Sequence, residues 1–485
     1  MIFPGFVGPA YAGRSSYWDG QDCVNLFPVE DSAGGKSTAA LVGTPGLVAW
    51  TSLTPGEPVR GMCPGGDGNL YAVCGTCLFQ ITPQGQPTIL GTLETETGAV
   101  SMTQNGQQML VADGANGYLV TFSSGSSGTP GAFSRIVNAN FPGASQVDFL
   151  DSYFVVTKPG SNQFYLSGLN DGTTWDGISW ATKEGKPDQI VSLAVNHRQV
   201  WLFGQISTEI WYNTGAAYPA FPLSPISGVF LETGCAARMS SVVMDNTVVW
   251  LTDKLQVVRA VGFAPQIIST RPMEYLISQY ARVDDAQAMT YVQGGHTFYV
   301  LTFPSADVTW VYDAASQQWH RRKSAGLGRW QANCHASFAG MHLVGGASSG
   351  KIYQLSETAY TEDGAMIERI RVSPPMSLEN AYLFMSGLMI DFEPGVGLAA
   401  GEGQTSGPGQ VQGGDPQAML QWSDDGGRTW SFEYWTTLGG VGAYANRARW
   451  TRLGAFRNRQ FRLKITDPVK VVITGASCQV TPGSS

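Results

Sequence analysis

Short apolar runs alternate with turn residues through the middle of the chain. Each unit has an apolar stretch of four to six residues, a turn rich in Gly, Asn, Asp or Ser, and a second apolar stretch. This pattern predicts β-hairpins. Their leading strands are predicted at residues 70–73, 109–112, 153–156, 200–203, 248–251, 298–303 and 341–344.

The predicted hairpins recur at intervals of roughly 40 to 50 residues, which is the length that one four-stranded propeller blade requires. A single blade cannot bury both of its faces, and radial stacking supplies the missing partner. The sequence therefore predicts an all-β protein with a β-propeller of six or seven blades. A pair of β-sandwiches is the alternative, since sandwich hairpins also recur, although less evenly.

The chain divides into three parts by this reasoning. Residues 1–50 lack the repeat and are predicted to form an extended arm, which closes the propeller or reaches a partner. Residues 51–375 are predicted to form the propeller, and residues 376–485 a smaller β domain that carries a Gly-rich insertion at 394–418.

One helix is predicted between strands, opened by Thr270 and Pro272. Its apolar positions follow helical spacing and form one face: Met273, Leu276, Ile277 and Tyr280. We expect this face to lie against a blade edge, and docking of a neighbouring subunit is the alternative.

Composition narrows the class of protein. Charged residues make up only 14%, while 60 Gly and 26 Pro supply abundant turns, so long helices and a disordered chain are both disfavoured. The net charge of −8 argues against a general nucleic-acid binder. Residues 1–12 contain no basic residue and are interrupted by Pro and Gly, so we expect no signal peptide and synthesis in the cytosol.

The residues capable of metal or acid–base chemistry form no recognised pattern. The seven Cys are odd in number and lack the spacing of a disulfide framework, and Cys74 and Cys77 fit a hairpin turn better than a zinc or redox motif. The five His match no ligand pattern, and no nucleophile elbow is present. We therefore expect no catalytic residues, no metal and no cofactor.

The sharpest local motif is an Asp-box in the C-terminal part, with a degenerate copy at residues 170–175. An Asp in such a box accepts backbone amides, the Gly takes a positive φ, and the Trp ring lies beneath the hairpin. The motif is similar to the Asp-boxes of sialidases and other propeller glycosidases, in which these boxes lie away from the catalytic centre. It therefore indicates the fold more than the function. Its residues are Ser423, Asp425, Gly427, Thr429 and Trp430.

Charge is distributed unevenly along the chain. Residues 1–120 carry nine acidic side chains against three basic ones, whereas residues 447–464 carry only basic ones. The basic cluster is a candidate interface between copies, because Arg suits fixed carboxylate partners and opposite-signed ends suit head-to-tail contact. A solvated strand face and DNA binding are the alternatives. The cluster comprises Arg447, Arg449, Arg452, Arg457, Arg459, Arg462 and Lys464.

Several segments together resemble the packaged-DNA stabilisation proteins, the tail hub or nozzle subunits of short-tailed bacteriophages. The most specific are residues 200–204 (Val-Trp-Leu-Phe-Gly) and 207–215 (Ser-Thr-Glu-Ile-Trp-Tyr-Asn-Thr-Gly). Further matching segments are 23–30 with 44–46, 164–175, 231–236 and 248–251, together with the Asp-box and the Arg-rich region. The resemblance covers most of the chain, except the insertion at 394–418.

This resemblance implies a non-enzymatic structural protein of the virion tail. It implies a homohexameric ring below the portal and adaptor, which retains packaged DNA and conducts it at infection without sequence-specific binding. It also implies three protein partners besides further copies of the chain, namely a tail adaptor, a tailspike or tail fibre, and a tail needle or plug. Two other functions stay open: a propeller glycosidase, indicated by the Asp-box, and a receptor-binding propeller, indicated by aromatic residues able to stack on sugars.

Overall fold

The computed structural model describes residues 2–31, 37–122, 131–379, 381–398 and 413–483. Within these ranges the chain is almost entirely β, as predicted. The centre of the Gly-rich insertion, residues 399–412, lies outside the described residues. Five strands precede the first blade: β1 (Tyr11–Ala12), β2 (Gly20–Val24), β3 (Leu26–Glu30), β4 (Ala39–Gly43) and β5 (Gly46–Ser52).

Five antiparallel blades follow, each made of four consecutive strands. Blade one has β6 (Val59–Pro64), β7 (Leu70–Cys74), β8 (Cys77–Ile81) and β9 (Pro87–Thr92). Blade two has β10 (Ser101–Gln104), β11 (Gln108–Ala112), β12 (Gly117–Thr121) and β13 (Ala132–Arg135). Blade three has β14 (Gln146–Leu150), β15 (Tyr153–Thr157), β16 (Gln163–Gly168) and β17 (Asp171–Thr182). Blade four has β18 (Ile190–Asn196), β19 (Gln199–Gly204), β20 (Thr208–Asn213) and β21 (Leu223–Leu231). Blade five has β22 (Val242–Met244), β23 (Thr247–Leu251), β24 (Val257–Val261) and β25 (Ala264–Ile267).

Helix α1 (Arg271–Ser278) connects blades five and six, where the sequence predicts it. Its Met273 and Ile277 are buried, which confirms the apolar face. Blade six has β26 (Gln287–Gln293), β27 (His296–Phe303), β28 (Val308–Asp313) and β29 (Gln318–Arg322). Blade seven begins with β30 (Ala332–Phe338), β31 (Met341–Gly346) and β32 (Lys351–Ser356).

The seven blades form a closed ring. The first strand of each blade contacts the first strand of the next, and β30 of blade seven contacts β6 of blade one. Neighbouring blades enclose apolar clusters between them, as radial stacking requires. The predicted leading strands are the second strands of the blades. The predicted β-propeller is therefore confirmed. Of the two predicted blade numbers, six and seven, the structure has seven.

The outer strand of blade seven is supplied by β5, from the N-terminal part of the chain. It pairs antiparallel with β32, with Leu47 opposite Leu355. Leu47 is buried among Trp330, Val344 and Tyr353. Residues separated by about 300 positions in sequence therefore complete one blade.

The C-terminal part forms two packed sheets. Its strands are β33 (Thr361–Glu362), β34 (Ala365–Met366), β35 (Arg369–Val372), β36 (Met376–Ser377), β37 (Leu383–Phe392), β38 (Gln417–Ser423), β39 (Tyr434–Thr437), β40 (Ala448–Thr451), β41 (Ala455–Phe456), β42 (Asn458–Ile465) and β43 (Val472–Pro482). The strand order is β2-β35-β42-β38-β39 in one sheet and β3-β4-β43-β37-β40 in the other. The hairpin of β33 and β34 extends blade seven beside β5.

Strand β2 joins the propeller to the C-terminal sheets. It pairs parallel with β29 of blade six, with Val24 opposite Arg321, and antiparallel with β35 on its other side. Blade six and one C-terminal sheet are thus a single continuous sheet of 11 strands. The predicted boundaries at residues 50 and 375 stay predictions, because the strands of the first 50 residues are shared between both parts.

Candidate interaction surfaces

The Asp-box forms the turn between β38 and β39. The Asp425 carboxylate accepts hydrogen bonds from the backbone N–H and the hydroxyl of Thr429, at 2.9 and 2.6 Å. These bonds hold the pKa of Asp425 well below its usual range. Gly427 has a φ of +86° and donates its N–H to the Ser423 hydroxyl, while the Trp430 indole N–H donates to the Gly427 carbonyl. The box therefore shapes a hairpin.

Three of the seven predicted interface cations serve this hairpin. Arg459 is buried and makes a bidentate ion pair with Asp424, at 2.6 and 2.7 Å. The Arg462 guanidinium lies 4.3 Å from the centre of the Asp-box Trp ring. Lys464 pairs with Glu433 at 2.7 Å. These side chains fasten the hairpin to β42, and a contact of theirs with another copy stays a prediction.

The degenerate copy of the box repeats the turn chemistry at the start of β17. Asp171 accepts from the Thr173 N–H and the Thr174 hydroxyl, at 2.9 and 2.6 Å. The indole N–H of Trp175 donates to the Gly172 carbonyl at 2.8 Å. The two copies thus form the same kind of hydrogen-bonded turn in two different parts of the molecule.

The other four predicted cations, Arg447, Arg449, Arg452 and Arg457, are exposed. Arg449 lies on β40, whose buried residues face inward and whose charged residues face outward. Strand β40 contacts β39, so the two edge strands lie side by side at one border of the C-terminal sheets.

Exposed aromatic side chains occur on β39, just before it, and in the segment that connects it to β40. Phe432, Trp435 and Tyr444 are 89%, 60% and 71% exposed. Large aromatic and arginine side chains are the types enriched at the centres of protein interfaces. We use the name β39–β40 rim for the surface formed by Phe432, Trp435, Tyr444, Arg447, Arg449 and Arg452.

Several acidic residues of the N-terminal part are engaged within the molecule. Asp22 pairs with Arg321 at 3.1 Å. Asp67 accepts the Tyr71 hydroxyl at 2.8 Å, and Asp113 accepts backbone amides of its own turn. Fewer carboxylates are therefore available for contacts between copies than the sequence indicates. The head-to-tail contact expected from the oppositely charged ends of the chain stays a prediction.

The first strands of the blades line a cavity of about 370 Å³ at the propeller axis. Its Arg60 donates to the carbonyls of Gly75, Thr95 and others, and Asp148 accepts two backbone N–H groups. Burial raises the pKa of Asp148 to about 6. Arg60 and Asp148 are therefore both hydrogen-bonded to backbone groups of the protein itself.

A cleft of about 530 Å³ on blades three and four bears on the glycosidase hypothesis. It contains Glu209, which is buried beside Trp211. One carboxylate oxygen of Glu209 accepts the Gly185 N–H, and the other accepts the Trp211 indole N–H at 3.0 Å. Both oxygens of Glu209 therefore accept hydrogen bonds from the protein itself, one from the loop between β17 and β18 and one from a residue of its own strand, β20.

Two kinds of feature are absent from the described residues. No group of three or more His, Cys, Asp or Glu side chains is placed there to hold a metal ion. In the same ranges, no helix has the length and apolar character needed to cross a membrane. Cys74 and Cys77 are free thiols and form no disulfide with each other.

Comparison with protein families gives two adjacent matches. A family model described as bacteriophage P22 Gp10, β-propeller, matches residues 6–360. A second, described as bacteriophage P22 Gp10, β-sandwich, matches residues 368–481. Among curated proteins, no sequence matches the chain.

Solved structures similar to this chain include several propellers. The WD40 β-propeller domain of Doa1 is 12% identical with a TM-score of 0.39, over 64% of this chain and 96% of that chain. The N-terminal domain of Nup159 is 10% identical with a TM-score of 0.38, over 69% and 98%. PorZ of Porphyromonas gingivalis is 10% identical with a TM-score of 0.38, over 64% of this chain, which spans only 38% of PorZ.

Proposed function

The chain belongs to the bacteriophage P22 Gp10 family of phage tail structural proteins, and from this membership we propose that it forms a hexameric ring that retains packaged DNA and conducts it at infection. As a member of that family it is a structural component of the virion tail. In the proposed assembly the ring lies below the portal and adaptor. The protein has no enzymatic role in this proposal and is made in the host cytoplasm.

The observation that carries the proposal is the β39–β40 rim. Both of its strands are sheet edges, and neither pairs with a further strand on its outer side among the described residues. The rim combines exposed arginines with exposed aromatic rings, a composition that favours association with a protein surface. We propose that this rim contacts the neighbouring copy in the ring.

Charge supports the proposed role toward DNA. The chain has 29 basic and 37 acidic side chains, so a polyanion meets net repulsion. A conduit benefits from this property, because DNA that is held weakly by the wall passes through it freely. In the proposal, retention comes from closing the ring with a needle or plug, and the adaptor and a tailspike or fibre bind other faces.

Charge reversal on the rim tests the proposal. We expect the wild-type protein, alone or with adaptor rings, to form six-fold rings in electron micrographs and hexamers in light scattering. The triple variant Arg447→Glu, Arg449→Glu, Arg452→Glu should remain monomeric with an unchanged melting temperature, because these side chains are exposed and make no buried contact.

The matched control reverses three exposed cations on the propeller: Lys254→Glu, Arg271→Glu and Arg282→Glu. It changes the net charge by the same amount and should still form rings. Rings from the rim variant would exclude the rim as the subunit contact. A wild-type protein that stays monomeric even with adaptor rings would refute the ring itself.

A further inference from the structure

A pocket lies where the N-terminal strands, blade six and the C-terminal sheets meet. Its volume is about 290 Å³, at the lower end for small-molecule sites. Most of its wall is apolar, formed by Phe27, Val29, Val42, Pro45, Phe298 and Val471. The pocket is separate from the β39–β40 rim, so its role does not depend on ring formation.

Arg369 also lines this pocket and is 1% exposed. Its Nη1 donates to the carbonyl of Asp467 at 3.2 Å. Its Nε and Nη2 have no hydrogen-bond acceptor among the described residues. No carboxylate within the described ranges forms an ion pair with it, and burial lowers the pKa of Arg369 to about 10.

The two unpaired groups form a specific recognition edge. Nε and Nη2 lie on the same side of the planar guanidinium, and their N–H bonds are nearly parallel. This edge matches the two oxygens of a carboxylate, with which Arg makes paired hydrogen bonds. A buried guanidinium with this edge unpaired is costly, and an anion placed against it would compensate the charge.

Gly43 lies next to that edge. It lies on β4, lines the pocket, and has a φ outside the left-handed region, so its backbone does not itself require glycine. A Cβ at this position would lie 3.0 Å from Nε of Arg369. Any other residue here would therefore crowd the unpaired edge.

We propose that this pocket binds a carboxylate with an apolar body, its oxygens on Nε and Nη2 of Arg369 and its body against Phe27 and Phe298. A carboxylate is favoured over a phosphate dianion for two reasons. Its two oxygens match the two donors, and its single negative charge is repelled less than a dianion by Glu357, which lines the same pocket. Lys470 lies at the pocket and is half-exposed in an ion pair with Glu393. The carboxylate belongs either to a small molecule or to the end of a protein chain.

Calorimetry with benzoate tests the first source, with neutral benzamide as the isosteric control. Wild-type protein should bind benzoate at least tenfold more tightly than benzamide. Gly43→Ala should weaken benzoate binding at least tenfold, because the added methyl group crowds Nε. The matched control is Gly475→Ala on β43 of the same sheet, where a Cβ would meet nothing within 4 Å, and it should bind as the wild type does.

A short peptide with a C-terminal Phe carboxylate tests the second source, with its amide as control. Arg369→Met should abolish binding of whichever carboxylate binds. If that variant does not fold, the comparison of Gly43→Ala with Gly475→Ala decides. Equal binding by those two variants, equal binding of acid and amide, or binding of neither acid would overturn the proposal.

Discussion

Arg371 shows how this protein uses a buried cation. Its guanidinium is fully buried and donates to the carbonyls of Gly5, Phe6 and Pro9, at 2.8, 2.7 and 2.7 Å. Carbonyl oxygens rather than a carboxylate thus satisfy the donors of this side chain. The N-terminal residues are consequently fixed to β35, and the start of the chain becomes part of the C-terminal core.

His320 gives the protein a predictable sensitivity to acid. Neither ring nitrogen has a partner among the described residues, and the ring packs against both Phe27 and Phe298. Burial, together with the charge of Arg322, lowers the pKa of His320 to about 3. In the unfolded chain it protonates near 6.5, so the free energy of unfolding should fall as pH falls from about 6.5 towards 3.

His320→Leu should reduce that loss, measured by urea unfolding at pH 7 and pH 5. The control is His197→Asn, an exposed position with a φ of +49° that Asn tolerates. It should keep the wild-type pH dependence. An unchanged pH dependence in His320→Leu would assign the acid sensitivity to other groups, such as the half-buried His335, whose pKa is lowered to about 4 by desolvation.

Strand β5 should contribute strongly to stability because it closes the ring of blades. Leu47→Ala removes a buried side chain from the seventh blade and should cost roughly 2–5 kcal/mol of unfolding free energy. Val48→Ala, one residue later and 46% exposed, should change it by no more than about 0.5 kcal/mol. Chemical denaturation of both variants measures the difference, and equal costs would show that β5 does not stabilise the closure.

Local pattern was sufficient to predict the hairpins and the helix. A strand pair joined by a short turn carries its own signal, since the two apolar runs and the turn residues are adjacent in sequence. Their even spacing then indicated the propeller. The same reasoning gave the helical face of Met273 and Ile277, because its period is local too.

Pairing between distant strands could not be predicted in this way. The register of β5 with β32, and of β2 with both β29 and β35, depends on segments hundreds of residues apart. Nothing in the sequence of β2 marks it as the strand that joins blade six to the C-terminal sheets. Such pairings are set by tertiary packing rather than by local propensity.

The candidate surfaces were predictable only in part. The basic cluster is visible in sequence, but strand direction and turns decide which cations face inward, and a shift of one residue exchanges the two faces. Arg459 is therefore buried, whereas Arg449 is exposed. Arg369 was missed, although its alternation with Arg371 along β35 was a usable signal.

The net charge of the molecule predicts its behaviour toward DNA. Purified protein at micromolar concentration should not retard a duplex in a gel at about 50 mM salt, because phosphate binding at low salt requires a basic surface. The triple rim variant, which is more acidic still, is the control for any residual contact by the arginines. Retardation that weakens steeply with added salt, and is lost in that variant, would assign DNA binding to the rim.

The 11-stranded sheet makes the propeller and the C-terminal sheets mechanically one body. Blade six continues through β2 into β35 and β42, so bending between the two parts would break backbone hydrogen bonds along that path. We expect the two parts to keep their relative orientation when the protein assembles. A load applied to one part would therefore be transmitted to the other.

The closure of blade seven by β5 also sets an order of events on the ribosome. Gly46–Ser52 is translated roughly 300 residues before Lys351–Ser356, its pairing partner. At bacterial and eukaryotic elongation rates the interval is about 15–60 s. During this interval the nascent propeller is an open arc, and β5 has not yet met its pairing partner. Only synthesis of the last blade allows the arc to close into a ring.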